Sequence, residues 1–237
     1  MYSQLLLLSQ LLSSNNFTVN EVKYSPSQQV VQIYSRNRNK SRKNKGDFRD
    51  MLEALGERET GLLSGDPKQY KFVNPQLSFL GKYQFAEVLL IRLGYYKAKV
   101  YFGNGANKNY WRGTWTGKNG INSKTDLLNS PQVQEKAIRE AFGVYWQDIN
   151  YLMKKKGKSI DSYLGQVKTF QEEGKTKRIK ITLSGAIAAA HLKGADKVVD
   201  LLVNGKVSSD PFGTSIISYL EEFGGYKTIP QDFLDRK

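Results

Sequence analysis

Residues 130–153 constrain the fold of this chain more than any other stretch. Ser130-Pro131 places a potential capping hydroxyl ahead of a proline in the first turn, and Val133, Ala137, Ala141, Val144, Tyr145 and Asp148 then share one face toward Met153. The spacing predicts the longest helix of the protein. Other segments supply shorter elements. Asp47 is placed to cap a helix whose apolar face is Phe48, Met51, Leu52 and Leu55, ending near Gly56 or a turn later, and residues 84–95 return to helical spacing with Phe85, Val88, Leu89 and Arg92 before Gly94. Ser184 opens a helix of small residues, Gly185-Ala186-Ile187-Ala188-Ala189-Ala190, whose backbone can approach another helix closely, and Gly194, Gly205 and Gly224 read as helix terminators. Residues 176–182 alternate as a strand does, and pair in expectation with 166–170 across Glu173-Gly174. Residues 60–82, with Gly61, Gly65, Pro67, Asn74, Pro75 and Gly81, read as loop or short hairpin. The expected class is mostly α (α+β), with a small β element and no internal repeat.

Composition bounds the function classes. At 237 residues and 39% apolar content a hydrophobic core is affordable, and no apolar run approaches the roughly 20 residues that span a bilayer. With no Cys and one His, thiolate metal sites, Cys nucleophiles and His-rich metal sites drop out, so neither a metal nor a cofactor is expected. The 36 Lys and Arg against 22 Asp and Glu leave a charge of +14, which suits nucleic acid, an anionic membrane or an anionic polymer such as a bacterial cell wall. Residues 1–45 form a separate basic leader, flexible or weakly structured, and 46–237 a folded domain. Residues 36–45 hold six cations and no apolar side chain, a solvated linker that also offers nucleic-acid contact or wall tethering. Val30, Val31, Ile33 and Tyr34 suggest one isolated strand. Residues 5–12 lack a preceding Lys or Arg and a following small-x-small site, so they read as a short helix or leader rather than a secretory signal.

The absence of a Gly-x-Ser-x-Gly elbow and of a phosphate-binding Gly-x-x-x-x-Gly-Lys-Ser/Thr loop leaves carboxylate chemistry. Its most suggestive position is Glu59, where a helix ends and a glycine-containing loop begins. The negative end of the helix dipole and aromatic neighbours both disfavour the ionised form, as a general acid working near neutral pH requires. Arg58 or Lys82 are placed to hold the same carboxylate ionised.

Glu59-Thr60-Gly61, a loop with Asn74, and then Gly81-Lys82-Tyr83-Gln84-Phe85 opening a helix resemble the lysozyme-like superfamily, especially lytic transglycosylases and phage endolysins. Those proteins carry a Glu-Ser-Gly or Glu-Ser-Ser motif at a helix end, followed after a loop by Gly-x-x-Gln. Thr60 keeps the hydroxyl of the usual Ser. Ala188-Ala189-Ala190-His191-Leu192-Lys193-Gly194 stands where many transglycosylases have Ala-Tyr-Asn-Ala-Gly, without the Tyr and Asn. The resemblance covers residues 47–226 and implies a lysozyme-like helical domain that cleaves the bond between N-acetylmuramic acid and N-acetylglucosamine in peptidoglycan. It implies that Glu59 protonates the glycosidic oxygen and that Gln84, with Tyr83 and His191, lines the saccharide site.

Tyr101, Phe102, Tyr110, Trp111 and Trp115, interleaved with glycines and asparagines, fit either a sugar-binding loop or a loop minicore, and Lys108, Arg112 and Lys118 also allow stacking on nucleic acid. Tyr110, Trp111 and Trp115 are the candidate sugar contacts. A hydrolase needs a second carboxylate, for which Asp66, Glu87 and Asp126 are available and Asp66 comes first by proximity, whereas family transglycosylases manage with the single Glu. The expected place of action is the bacterial wall or periplasm, reached by phage release or a secretion machine. Two other readings stand beside this one: a catalytically inactive lysozyme-like glycan-binding or structural component, and a basic nucleic-acid-binding protein.

Overall fold

The computed structural model describes residues 45–99, 109–210 and 213–234. The expectations for the leader at 1–44, including the strand near Val30, and for Tyr101, Phe102 and Lys108 lie outside the described residues. The domain is mostly helical, with two small antiparallel β-hairpins.

Helix α1 (Phe48–Thr60) starts where Asp47 predicts. The Asp47 carboxylate accepts the amides of Arg49 and Asp50, and the Asp50 side chain returns to the Asp47 amide, so two orphan donors are satisfied reciprocally. The helix passes through Gly56 and stops one turn later at Gly61, which takes the left-handed conformation at φ 68°. After a 3₁₀ turn at Pro67–Lys71, the chain departs from the expected helix at 84–95. Gln84 has φ +48°, its amide closes a turn onto the Gly81 carbonyl, and Phe85 bridges back to Leu80. Helix α2 therefore covers only Glu87–Arg92, and Gln84 is a turn residue rather than a helix start.

Strands β1 (Tyr96–Ala98) and β2 (Gly113–Trp115) pair antiparallel, with Tyr96 opposite Trp115. The sequence does not mark either strand, because three-residue strands carry too little alternation to stand out. A short α3 (Lys124–Leu128) leads into α4 (Pro131–Lys155), the predicted long helix. Pro131 occupies its first turn as expected, but the Ser130 hydroxyl makes no capping bond. Ala137, Ile138, Ala141, Phe142, Ile149 and Met153 of α4 are fully buried and form the spine of the core.

The second hairpin, β3 (Val167–Glu172) and β4 (Lys175–Lys180), turns through Glu173 and Gly174, both at positive φ as a two-residue type I′ turn requires. Phe170 and Ile179 point into the core while the cations of β4 face out. Helix α5 (Leu183–Lys193) starts one residue before Ser184 and is capped by Thr182, and the Thr182 hydroxyl accepts the Gly185 amide. Its small residues do what their size allows: α5 packs against α1, α4, α6 (Ala195–Asn204) and α7 (Ile216–Glu222). At Gly185 a Cβ would stand 2.6 Å from the Leu220 carbonyl oxygen of α7, so only glycine admits this approach. Among the described residues, no helix is long and apolar enough to cross a membrane.

Candidate functional site

The close packing around α5 brings the ends of α1, α5 and α7 together at Glu59. Thr60, buried beside it, donates its hydroxyl to the Gly56 carbonyl at 2.7 Å and accepts the Leu62 amide at 3.2 Å, which fixes the last turn of α1. The Glu59 side chain is 16% exposed, so it touches solvent but is too enclosed for water to solvate its charge fully. Tyr219 of α7 donates its hydroxyl to Glu59 Oε1 at 2.7 Å, and His191 of α5 presents Nε2 at 4.0 Å from the same oxygen. Both neighbours thus sit on Oε1. The acidic proton accordingly belongs on Oε2, where it meets no competing donor.

Burial pushes the Glu59 pKa up to about 7, with the Asp210 and Glu222 carboxylates adding to the rise and the Tyr219 hydroxyl and Arg58 opposing it. Neither of the two cations placed to hold it ionised forms an ion pair with it. Arg58 lies 3.7 Å from Glu222 and over the Tyr219 ring. Lys82, fully buried, holds Glu53 at 2.6 Å and Glu135 at 3.1 Å. Burial alone would lower the Lys82 pKa, but hydrogen bonding to Glu53 and the charge of Glu135 outweigh it and raise it.

The turn carrying Gly81, Lys82, Tyr83 and Gln84 is pinned by that lysine and by Gln134 of α4, whose Oε1 accepts the Lys82 amide at 2.9 Å. Gly56 makes room for the lysine stem, since a Cβ there would fall 2.6 Å from Lys82 Cε. So fixed, the turn aims the Tyr83 carbonyl at His191 Nε2, 2.9 Å away. A carbonyl can only accept, so Nε2 carries the proton and Nδ1 is left as a buried acceptor with no partner. Burial lowers the His191 pKa to about 4, and the imidazole stays neutral next to the acid.

Of the residues singled out from the sequence, the structure joins Glu59 and His191 directly and Tyr83 through its backbone. The Tyr83 phenol turns away to Glu135. Gln84 is buried; its Nε2 donates to the Gly81 carbonyl at 2.7 Å and its Oε1 has no partner. Trp111 and Trp115 form a cluster of their own, stacked at 5.8 Å with Tyr96 packed edge-on to both, and the Trp111 indole N–H donates to the Ser78 carbonyl. Tyr110 is exposed beside them under the Arg112 guanidinium. Asp66 caps the 3₁₀ turn by accepting the Lys68 amide, Glu87 accepts the amides of Tyr110 and Trp111, and Asp126 accepts the Asn122 amide.

Sequence reasoning missed Tyr219. Its signal was available: a lone Tyr on the apolar face of a helix between Ser215 and Gly224, flanked by Ile216 and Leu220, whose hydroxyl must find a buried partner. Among the described residues, no group of three or more His, Asp or Glu side chains lies close enough together to hold a metal ion. Comparison of the chain with protein-family models, with curated proteins and with solved structures finds no match.

Proposed function

We propose that this protein cleaves the glycan strand of peptidoglycan, as a member of the lysozyme-like superfamily with Glu59 as general acid. The observation that carries the reading is the Glu59 carboxyl itself, enclosed at a helix end, reachable from solvent, and held with a pKa near 7. An acid of that strength is still substantially protonated at neutral pH and gives up its proton readily as the leaving oxygen gains charge.

Glu59 Oε2 delivers its proton to the glycosidic oxygen. The carboxylate that results is stabilised by the Tyr219 hydroxyl, which stays neutral in the step. The same carboxylate then acts as base toward the muramyl C6 hydroxyl, which closes a 1,6-anhydro ring. The single-acid route is supported by the engagement of Asp66, Glu87 and Asp126 with backbone amides, which gives each of them a structural task. Hydrolysis would instead require a second carboxylate across the sugar.

Digestion of purified peptidoglycan, with mass analysis of the products, tests the reading. Cleavage with anhydro ends is expected, and Glu59→Gln lowers the rate by about 10²–10⁴ while the fold persists. Reducing ends would replace the single-acid route with hydrolysis. Undiminished cleavage by the Gln variant would remove Glu59 from the chemistry.

A further inference from the structure

Tyr145 is the buried phenol next to the acid that the mechanism leaves unused. It lies on α4, 8% exposed, with its ring 6.1 Å from the His191 ring and 6.4 Å from that of Phe142. The buried phenols of Tyr83, Tyr95 and Tyr219 each have a partner: Glu135, Asn119 and Glu59. Tyr145 makes no hydrogen bond among the described residues. Its hydroxyl differs from that of Tyr96, which is sealed from solvent and also unpartnered. Arg92, Glu59 and Asp148 all lie near enough to Tyr145 for their charges to act on its phenol.

Asp148 stands three residues beyond Tyr145, on the same face of α4 and about 4.5 Å further along its axis, a span comparable to one pyranose ring. Arg92 of α2 grips it in bidentate fashion, Nη2 to Oδ1 and Nη1 to Oδ2, each at 2.6 Å. The pair is partly exposed, at 52% for Arg92 and 28% for Asp148. It therefore offers further N–H donors and carboxylate lone pairs to a ligand, the mixture that neighbouring sugar hydroxyls require. Glu59, His191 and Tyr145 thus form one contiguous group, and Asp148 with its Arg92 partner follows three residues further along the long helix.

We infer that the Tyr145 hydroxyl and the Arg92/Asp148 ion pair form a sugar subsite adjoining Glu59, which takes the hydroxyl and amide groups of a hexopyranose in the same glycan strand. This subsite rests on the glycan-cleaving reading and extends it to the residue next to the scissile bond. A phenol that is not sealed from solvent and has no protein partner exchanges water for a sugar hydroxyl without breaking a hydrogen bond within the protein.

The test uses the full chain and soluble peptidoglycan glycan strands. Tyr145→Phe keeps the ring against His191 and Phe142, so its melting temperature should match that of the wild type. Loss of one hydrogen bond should raise KM by about tenfold with kcat little changed, and should weaken strand binding by the same factor in a Glu59→Gln background. Asp148→Asn, which loosens the Arg92 fork, should weaken binding in the same direction. Unaltered affinity in both variants, while the wild type binds and cleaves, overturns the subsite and leaves the function standing. A wild-type chain that neither binds nor cleaves the strands overturns both. A drop in melting temperature for Tyr145→Phe with unchanged affinity of the folded protein assigns Tyr145 to packing and also overturns the subsite.

Discussion

Glu59→Gln should stabilise this protein at alkaline pH and leave it unchanged in acid. A free glutamate ionises near 4.5, whereas burial holds Glu59 protonated up to about 7. Below 4.5 the side chain is neutral in both folded and unfolded chains, and glutamine, equally neutral, gains nothing. As pH rises from 4.5 to 7 the unfolded chain releases the proton first, so the native state loses stability steadily until its own carboxyl ionises. At 1.36 kcal/mol per pH unit that window amounts to about 3 kcal/mol, fully lost by pH 8. Glutamine avoids the loss and keeps an oxygen to accept the Tyr219 hydroxyl. The groups facing Glu59 are Tyr219, His191, Arg58, Asp210 and Glu222, and all are common to the two proteins. His191, with its pKa lowered to about 4, contributes stability that is present above 6.5 and lost as pH falls toward 4; this slope cancels in the difference. Urea unfolding of both proteins at pH 4 and pH 8 reads the effect, and for a domain of this size about 3 kcal/mol corresponds to roughly 6–12 °C in melting temperature. Equal stability at pH 8, or a wild type more stable than the variant there, would refute the claim that burial raises this carboxyl.

Two further outcomes follow from the same geometry. Tyr219→Phe removes the hydroxyl that stabilises the Glu59 carboxylate but keeps the ring under Arg58, so the alkaline limb of the cleavage profile should move up from 7 by about one pH unit; a downward movement in kcat/KM against pH would contradict the hydrogen bond. Asp66→Ala deletes the cap of the 3₁₀ turn and should cost about 1 kcal/mol in urea unfolding with cleavage retained, whereas loss of activity as severe as that of Glu59→Gln would make Asp66 the second carboxylate.

Much of this protein was legible before its folding was known, wherever the information is local. Asp47 announces a helix start, Ser130-Pro131 and its apolar face the longest helix, and Glu173-Gly174 a tight turn between alternating segments. These features depend on neighbours within a turn or a strand pair, which sequence spacing records. Glu59 was singled out by its place at a helix end, and the rise in its pKa followed from the same reasoning about burial. The helix expected from Gln84 failed because the interactions that bend residues 81–85 into a turn come from Gln134 and Leu80, the first of them some fifty residues away. The two short strands around Trp115 were equally hidden, since their stability lies in Tyr96 meeting Trp111 and Trp115 rather than in any alternation of their own. The sequence by itself determined the helical scaffold, the glycine stops and the carboxyl at the end of α1. Only the tertiary structure decided that Tyr219, 160 residues away, would hold that carboxyl, that Lys82 would be drawn off to Glu53 and Glu135, and that His191 would stay neutral. The physical reason is that a pKa and a hydrogen-bond partner depend on what packs around a group, and here the packing comes from helices distant in the chain that meet where α5 is thin enough to let them approach.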